Sequence, residues 1–136
     1  MSTAADLGPL DVIAYSPGVC NIGPAEIARR RRAGHAGLLV SIVVLAVLVV
    51  VGAPHWTRLV LVLTAGASAS GYLQAFFHFC AGFGSRGVYN FGPLGTVQDV
   101  TDPQAQARDR ARSIQIGLGS LAIGLAVAVV AVLLPF

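Results

Sequence analysis

Two cysteines and two of the three histidines, Cys20, His35, His78 and Cys80, are the side chains in this chain best suited to chemistry. Two thiolates and two imidazoles form an adequate ligand set for Zn²⁺ or a similar borderline ion. His35 and His78 alone, drawn from different apolar segments, would suit two axial positions on a haem. Against both stands the spacing. No CxxC unit is present, and His78 and Cys80 are two apart, which keeps them off a common face of a regular helix. They converge only if the helix ends between them. A disulfide between Cys20 and Cys80 is a further option, one that a reducing cytoplasm disfavours unless the pair cycles. The plain expectation is that no cofactor is bound, with His78 hydrogen-bonded inside a bundle and His35 wet among headgroups.

Other chemistry is thinly represented. Gly82-x-Gly84-x-x-Gly87 matches the dinucleotide-binding letters, but that motif needs a preceding strand and a βαβ unit around it. Here it follows an apolar helix, so the glycines read as a tight turn. There is no Ser-His-Asp set and no paired carboxylate, and the apolar runs contain no Asp or Glu that could relay protons. The reading is of a chain that is not an enzyme.

These residues hang on three uncharged runs, at 36–53, 59–85 and 113–136. About 20 apolar residues in a helix cross a ~30 Å hydrocarbon core, where backbone groups must be satisfied internally. The fold class expected is all-α, an integral membrane three-helix bundle with a short N-terminal interfacial helix. The organisation expected is an extended cytoplasmic arm (1–23), a basic interfacial helix (24–35), spans at 36–53, 59–81 and 113–135, and a Gly-rich loop and helix at 82–112. Hydrophobic residues make up 55% of the chain and charged ones 11%, a balance that excludes a water-soluble core. Asp6 and Asp11 fall where a basic signal region would lie, so no cleavable signal is expected.

All nine basic residues are arginine, and seven of them cluster at Arg29, Arg30, Arg31 and Arg32 and again at Arg108, Arg110 and Arg112, with Arg58 and Arg86 standing apart. These clusters flank apolar runs and lack the broad basic face of a nucleic-acid binder. They set topology and meet anionic lipid headgroups. Positive charge then places the N-terminus and the second loop in the cytoplasm, with the His55-Trp56 turn and the C-terminus outside an inner (plasma) membrane.

Small and polar residues recur on one face of the second run, at Thr64, Ala67, Gly71, Gln74 and His78, and small residues on one face of the third, at Ser113, Gly117, Ser120, Gly124, Ala128 and Ala131. In lipid, such stripes mark helix–helix contact. They are read as joining these two spans, or as gripping other membrane subunits or a second copy. Span one carries no such stripe and is expected to face lipid.

The segment from Cys20-Asn21-Ile22-Gly23-Pro24-Ala25-Glu26 through the arginines to Gly34, with a later span ending Phe77-His78-Phe79-Cys80, resembles small bacterial multi-span membrane proteins. It is also distantly similar to the two-span membrane domain sometimes attached to rhodanese modules. The matching positions are Asn21, Gly23, Glu26, Arg30, Gly34 and Cys80. The resemblance implies architecture and no sulfur-transfer activity, and it leaves out the third span.

Overall fold

A computed structural model describes residues 15–136; the first fourteen, with Asp6, Asp11 and most of the expected arm, lie outside the described residues. The described chain is all-α with three long apolar helices. Helix α1 runs Pro24–Val50, a 3-10 turn covers His55–Val60, α2 runs Leu61–Phe77, α3 is the short Ala81–Arg86, and α4 runs Pro103–Leu133. Between α3 and α4 a two-stranded ribbon pairs β1 (Val88–Tyr89) antiparallel with β2 (Gln98–Asp99). Stretches of 27, 23 and 31 residues, Pro24–Val50, His55–Phe77 and Pro103–Leu133, are long and apolar enough to cross a membrane. The shortest spans about 35 Å at 1.5 Å per residue, enough for the ~30 Å core.

Local chemistry explains the boundaries. Pro24 opens α1, where its missing N–H costs nothing, and Glu26 in the first turn meets the positive end of the helix dipole. The basic segment and the first apolar run form one continuous helix. That helix stops at Gly52, φ +67°, with Ala53 N–H donating to Leu48 C=O at 3.0 Å and Gly52 N–H to Val49 C=O at 3.1 Å. This is the 6→1, 5→2 pattern of a left-handed helix stop, and Pro54 follows it. At the start of α4, the Asp102 carboxylate accepts the Gln104 N–H at 3.1 Å and Pro103 occupies the first turn.

Two compact units divide the chain. The first comprises the described residues up to Arg29 together with Gln74–Ile114, and its core gathers Ile22, Ile27, Ala75, Cys80 and Phe83. The second comprises Arg30–Leu73 with Gln115–Phe136, and its cluster is Leu61, Ala128 and Ala131, flanked by Val44, Leu45 and Val62.

In the second unit, helices touch backbone to backbone. A Cβ on Gly71 would lie 2.5 Å from Gly34 N and 2.8 Å from Arg30 O, and one on Gly37 would lie 2.8 Å from Ser68 Cα. One on Gly124 would lie 2.6 Å from Val62 O and 3.0 Å from Gly66. So α1 and α2 meet at Gly34, Gly37, Ser68 and Gly71, and α2 and α4 meet at Val62, Gly66 and Gly124. Dispersion between close backbones supplies the attraction that lipid, as apolar as the side chains, cannot.

Candidate functional site

The first unit is organised around Asn21, which is fully buried. Its Oδ1 accepts the Cys80 N–H at 2.7 Å and its Nδ2 donates to the Cys80 C=O at 3.1 Å. Its own backbone N–H donates to His78 C=O at 3.1 Å, and its C=O accepts from Asn90 N–H at 3.0 Å. Four hydrogen bonds from one residue thus tie the segment before α1 to the break after α2 and to the end of β1. Gly23 is needed beside it, because a Cβ there would lie 2.8 Å from the Phe91 backbone. Asn90, also buried, turns its side chain on the next loop: Nδ2 donates to Pro93 C=O, and Oδ1 accepts from Gly92 N–H and Thr96 Oγ1.

The break itself falls at His78. This residue has φ +53°, and Phe79 N–H donates to Gln74 C=O at 3.0 Å, so α2 ends by the device that ends α1 at Gly52. Histidine is one of the few residues with a side chain enriched in that region. Its imidazole is exposed. Cys80 then caps α3, its Sγ accepting the Phe83 N–H at 3.4 Å, while the Gln74 side chain accepts Ala81 N–H at 2.9 Å. Gly82 and Gly84 lie within α3 and Gly87, φ +71°, ends it. Gly84 brings α3 against Phe79, Ser113 and the Asp109 carbonyl.

Asp109 is a further buried polar residue of this unit. Its Oδ2 accepts from the Tyr15 hydroxyl at 2.7 Å and its Oδ1 from Gly18 N–H at 2.7 Å. Arg112 Nε donates to Gly18 C=O at 2.9 Å. The turn at 15–20 is thereby held on α4, and Tyr15 stacks on Tyr89 with ring centroids 4.8 Å apart. Burial and the Asp109 carboxylate hold the Tyr15 phenol well above its usual range. Burial likewise raises the Cys20 thiol above its usual range.

The four metal or haem candidates are therefore engaged separately. Cys20 Sγ donates to Ile22 C=O at 3.7 Å, Cys80 Sγ accepts from α3, and His78 is exposed at the helix stop. His35, in the second unit, has its Nδ1 2.6 Å from the Tyr72 hydroxyl, with the rings edge to face. α2 does end ahead of Cys80, at the left-handed His78, but the ending turns the thiol to capping. Among the described residues, no group of three or more His, Cys, Asp and Glu is placed to hold a metal ion.

The small-residue stripes fall differently from the sequence expectation. On α4 the buried line is Ser113, Ile116, Ser120, Gly124, Ala128 and Ala131; Gly117 is exposed, with nothing within 4 Å of where its Cβ would be. On α2 the buried residues are Leu61, Ala65, Ser68, Ala69, Gly71 and Ala75, whereas Ala67 is exposed and Gln74 half-buried. Thr64 keeps its hydroxyl buried without a hydrogen-bond partner. Helices rich in Gly, Ala and Ser support several stripes at steps of three and four, and neighbours 100° apart compete for the same line. Span one does carry small contact residues, Gly34, Gly37 and Ser41, at its N-terminal end. Of the arginine run, Arg29, Arg31 and Arg32 are exposed and Arg30 half-buried; Arg29 lies 3.9 Å from Glu26.

Arg58 is the one arginine of the short turn between the first two apolar runs, and no role is legible for it in the sequence. It is 1% exposed. Its guanidinium donates to Ala131 C=O at 2.8 Å, Leu134 C=O at 3.4 Å and Phe136 C=O. These are carbonyls at and beyond the end of α4, and a fixed cation there both pairs them and meets the negative end of the helix dipole. The available signal was a lone arginine between two apolar runs, in a chain whose last helix has no basic residue in its final turn. Comparison of the chain with protein-family models, curated proteins and solved structures finds no match in any of the three.

Proposed function

We propose that this chain is a small non-catalytic integral membrane protein that packs as an accessory or structural subunit against other membrane subunits or a second copy of itself. The carrying observation is Gly117, exposed on α4 with open space before it, while the chain's own contacts use Ile116, Ser120, Gly124 and Ala128. A glycine in a helix interior costs about 1 kcal/mol against alanine and gains nothing from lipid; it is repaid where another helix approaches closely. The engagement of Asn21, Asn90 and Asp109 in backbone and hydroxyl hydrogen bonds supports a scaffolding role for the buried polar groups of the first unit.

In the same reading the protein lies in a bacterial inner membrane. The arginine-rich ends face the cytoplasm and anionic headgroups, and the turn at 54–58 and the C-terminus face outside. Extraction in a mild detergent followed by mass measurement of the intact particle tests the reading. A particle heavier than one chain, lost in Gly117→Leu, is expected. A wild-type protein that runs as one chain in mild detergent and in native membranes contradicts it.

A further inference from the structure

The second unit holds an apolar groove with a cavity volume of about 210 Å³. Its floor is Ala65, Ser68 and Ala69, all buried, and its rim includes Leu38 and Ile123, 47% and 42% exposed. The Ser68 hydroxyl donates to Gly34 C=O at 2.7 Å and the lining Ser41 hydroxyl to Gly37 C=O at 2.8 Å, so both spend their hydrogens on the helices. The volume far exceeds the ~15 Å³ that one water needs, but an apolar wall offers water no partners; such cavities stay dry and take apolar guests. Within spanning helices the guest at hand is hydrocarbon.

Polar groups stand at one end of this groove. Tyr72 lines it and brings its hydroxyl to His35, in a pair that is exposed. Gly34 makes the approach possible, since a Cβ there would lie 2.8 Å from the Tyr72 ring. On α1, Arg31, His35 and Leu38 follow at i, i+4 and i+7, which puts them on one face. Arg31 lies about 6 Å before His35 along the axis, and Leu38 about 4.5 Å beyond it. Arg31 is exposed and forms no ion pair with a described residue, whereas Arg29 has Glu26. Along one line the surface therefore presents a cation, a phenol–imidazole pair and an apolar trough.

We infer that this line is a discrete binding site for one phospholipid of net negative headgroup. Arg31 holds the phosphate, the His35–Tyr72 pair hydrogen-bonds to the glycerol-ester oxygens, and one acyl chain fills the groove. The order of the three features along α1 matches the order of the three parts of the lipid, and the uncompensated arginine supplies the charge preference. The inference rests on the reading of α1 and α2 as membrane spans and on no partner subunit.

The test is a native mass titration of the full chain in detergent with dioleoylphosphatidylglycerol or dioleoylphosphatidylcholine. Reconstitution into bilayer discs is scored separately, so loss of membrane integration is told apart from loss of the site. One retained phosphatidylglycerol, preferred about tenfold over phosphatidylcholine, is expected. Arg31→Gln should lower that affinity about tenfold, and Arg29→Gln should leave it unchanged. Ala69→Leu, which fills the groove, should weaken both lipids at least tenfold; Ile123→Trp at the rim should do the same without touching the floor, which covers a misfolded Ala69→Leu. Equal losses in Arg29→Gln and Arg31→Gln would mean diffuse attraction to the arginine run and overturn the site. So would unchanged retention in folded Ile123→Trp.

Discussion

The side-chain amide of Asn21 and the backbone of Cys80 pair in both directions, at 2.7 Å and 3.1 Å, across 59 residues of sequence. A carboxamide is the side chain that offers a donor and an acceptor on one planar group, so it serves both the N–H and the C=O of a residue lying between two helices. Asn21→Leu would take the partner from the buried Cys80 N–H and leave the Cys80 C=O with the Gly84 N–H alone, at a cost of about 1–3 kcal/mol. Asn21→Asp keeps the acceptor but sets a carboxylate oxygen against the Cys80 carbonyl, and should cost a similar amount. Thermal unfolding in detergent measures both. A loss below about 0.5 kcal/mol in either would mean that the clamp does not hold the first unit together.

His78 takes the left-handed position that glycine takes at Gly52. If its role is that conformation, His78→Gly should stabilise the protein by up to about 1 kcal/mol, and His78→Val should destabilise it by a similar amount or more. Destabilisation by glycine would show that the imidazole makes a contribution of its own.

Burial holds the Cys20 thiol above its ordinary range. A raised pKa favours the protonated form in the folded state, so the folded protein binds more protons than the unfolded chain above the ordinary thiol pKa. Stability from this group is therefore complete at neutral pH and declines as pH rises past that value. Iodoacetamide should modify Cys20 more slowly than a free thiol at pH 8, with the half-point of the rate profile displaced upward. A profile centred on the ordinary thiol value would contradict this.

The helices were legible because lipid imposes a simple demand, and three uncharged runs answer it. Charge at Arg29–Arg32 and at Arg108–Arg112 marked two of their ends. What stayed hidden depends on pairing at a distance. Nothing local distinguishes Asn21 from a loop asparagine, since its partners are Cys80 and Asn90. Arg58 has no legible role until the end of α4 is brought to it. The ribbon of Val88–Tyr89 and Gln98–Asp99 is two residues per strand, too short for alternation to register. The stripes were blurred for the opposite reason: with glycine, alanine and serine at so many positions, Gly117 and Ile116 competed for one line, and only the packed neighbours decide between them.

Arg58 should resist conservative exchange. Lysine keeps the charge but lacks the planar fork that spans several carbonyls. Arg58→Lys should cost about 1–2 kcal/mol and Arg58→Met more, because the carbonyls at the end of α4 lose a charged donor in a buried setting. Backbone hydrogen exchange confined to the last turn of α4 would report the loss directly. Unchanged protection there would show that the cap is dispensable.

Gly117 carries the proposed role, and cysteine crosslinking in native membranes tests it most directly. Three single substitutions on α4 are compared: Gly117→Cys on the open face, Leu118→Cys at nearly the same depth but 100° around the helix, and Ala128→Cys in the chain's own core. Efficient crosslinking to another chain through position 117, with little through 118 and none through 128, is the predicted result. No crosslink at 117, or equal crosslinking at 117 and 118, would contradict a helix seated on that glycine.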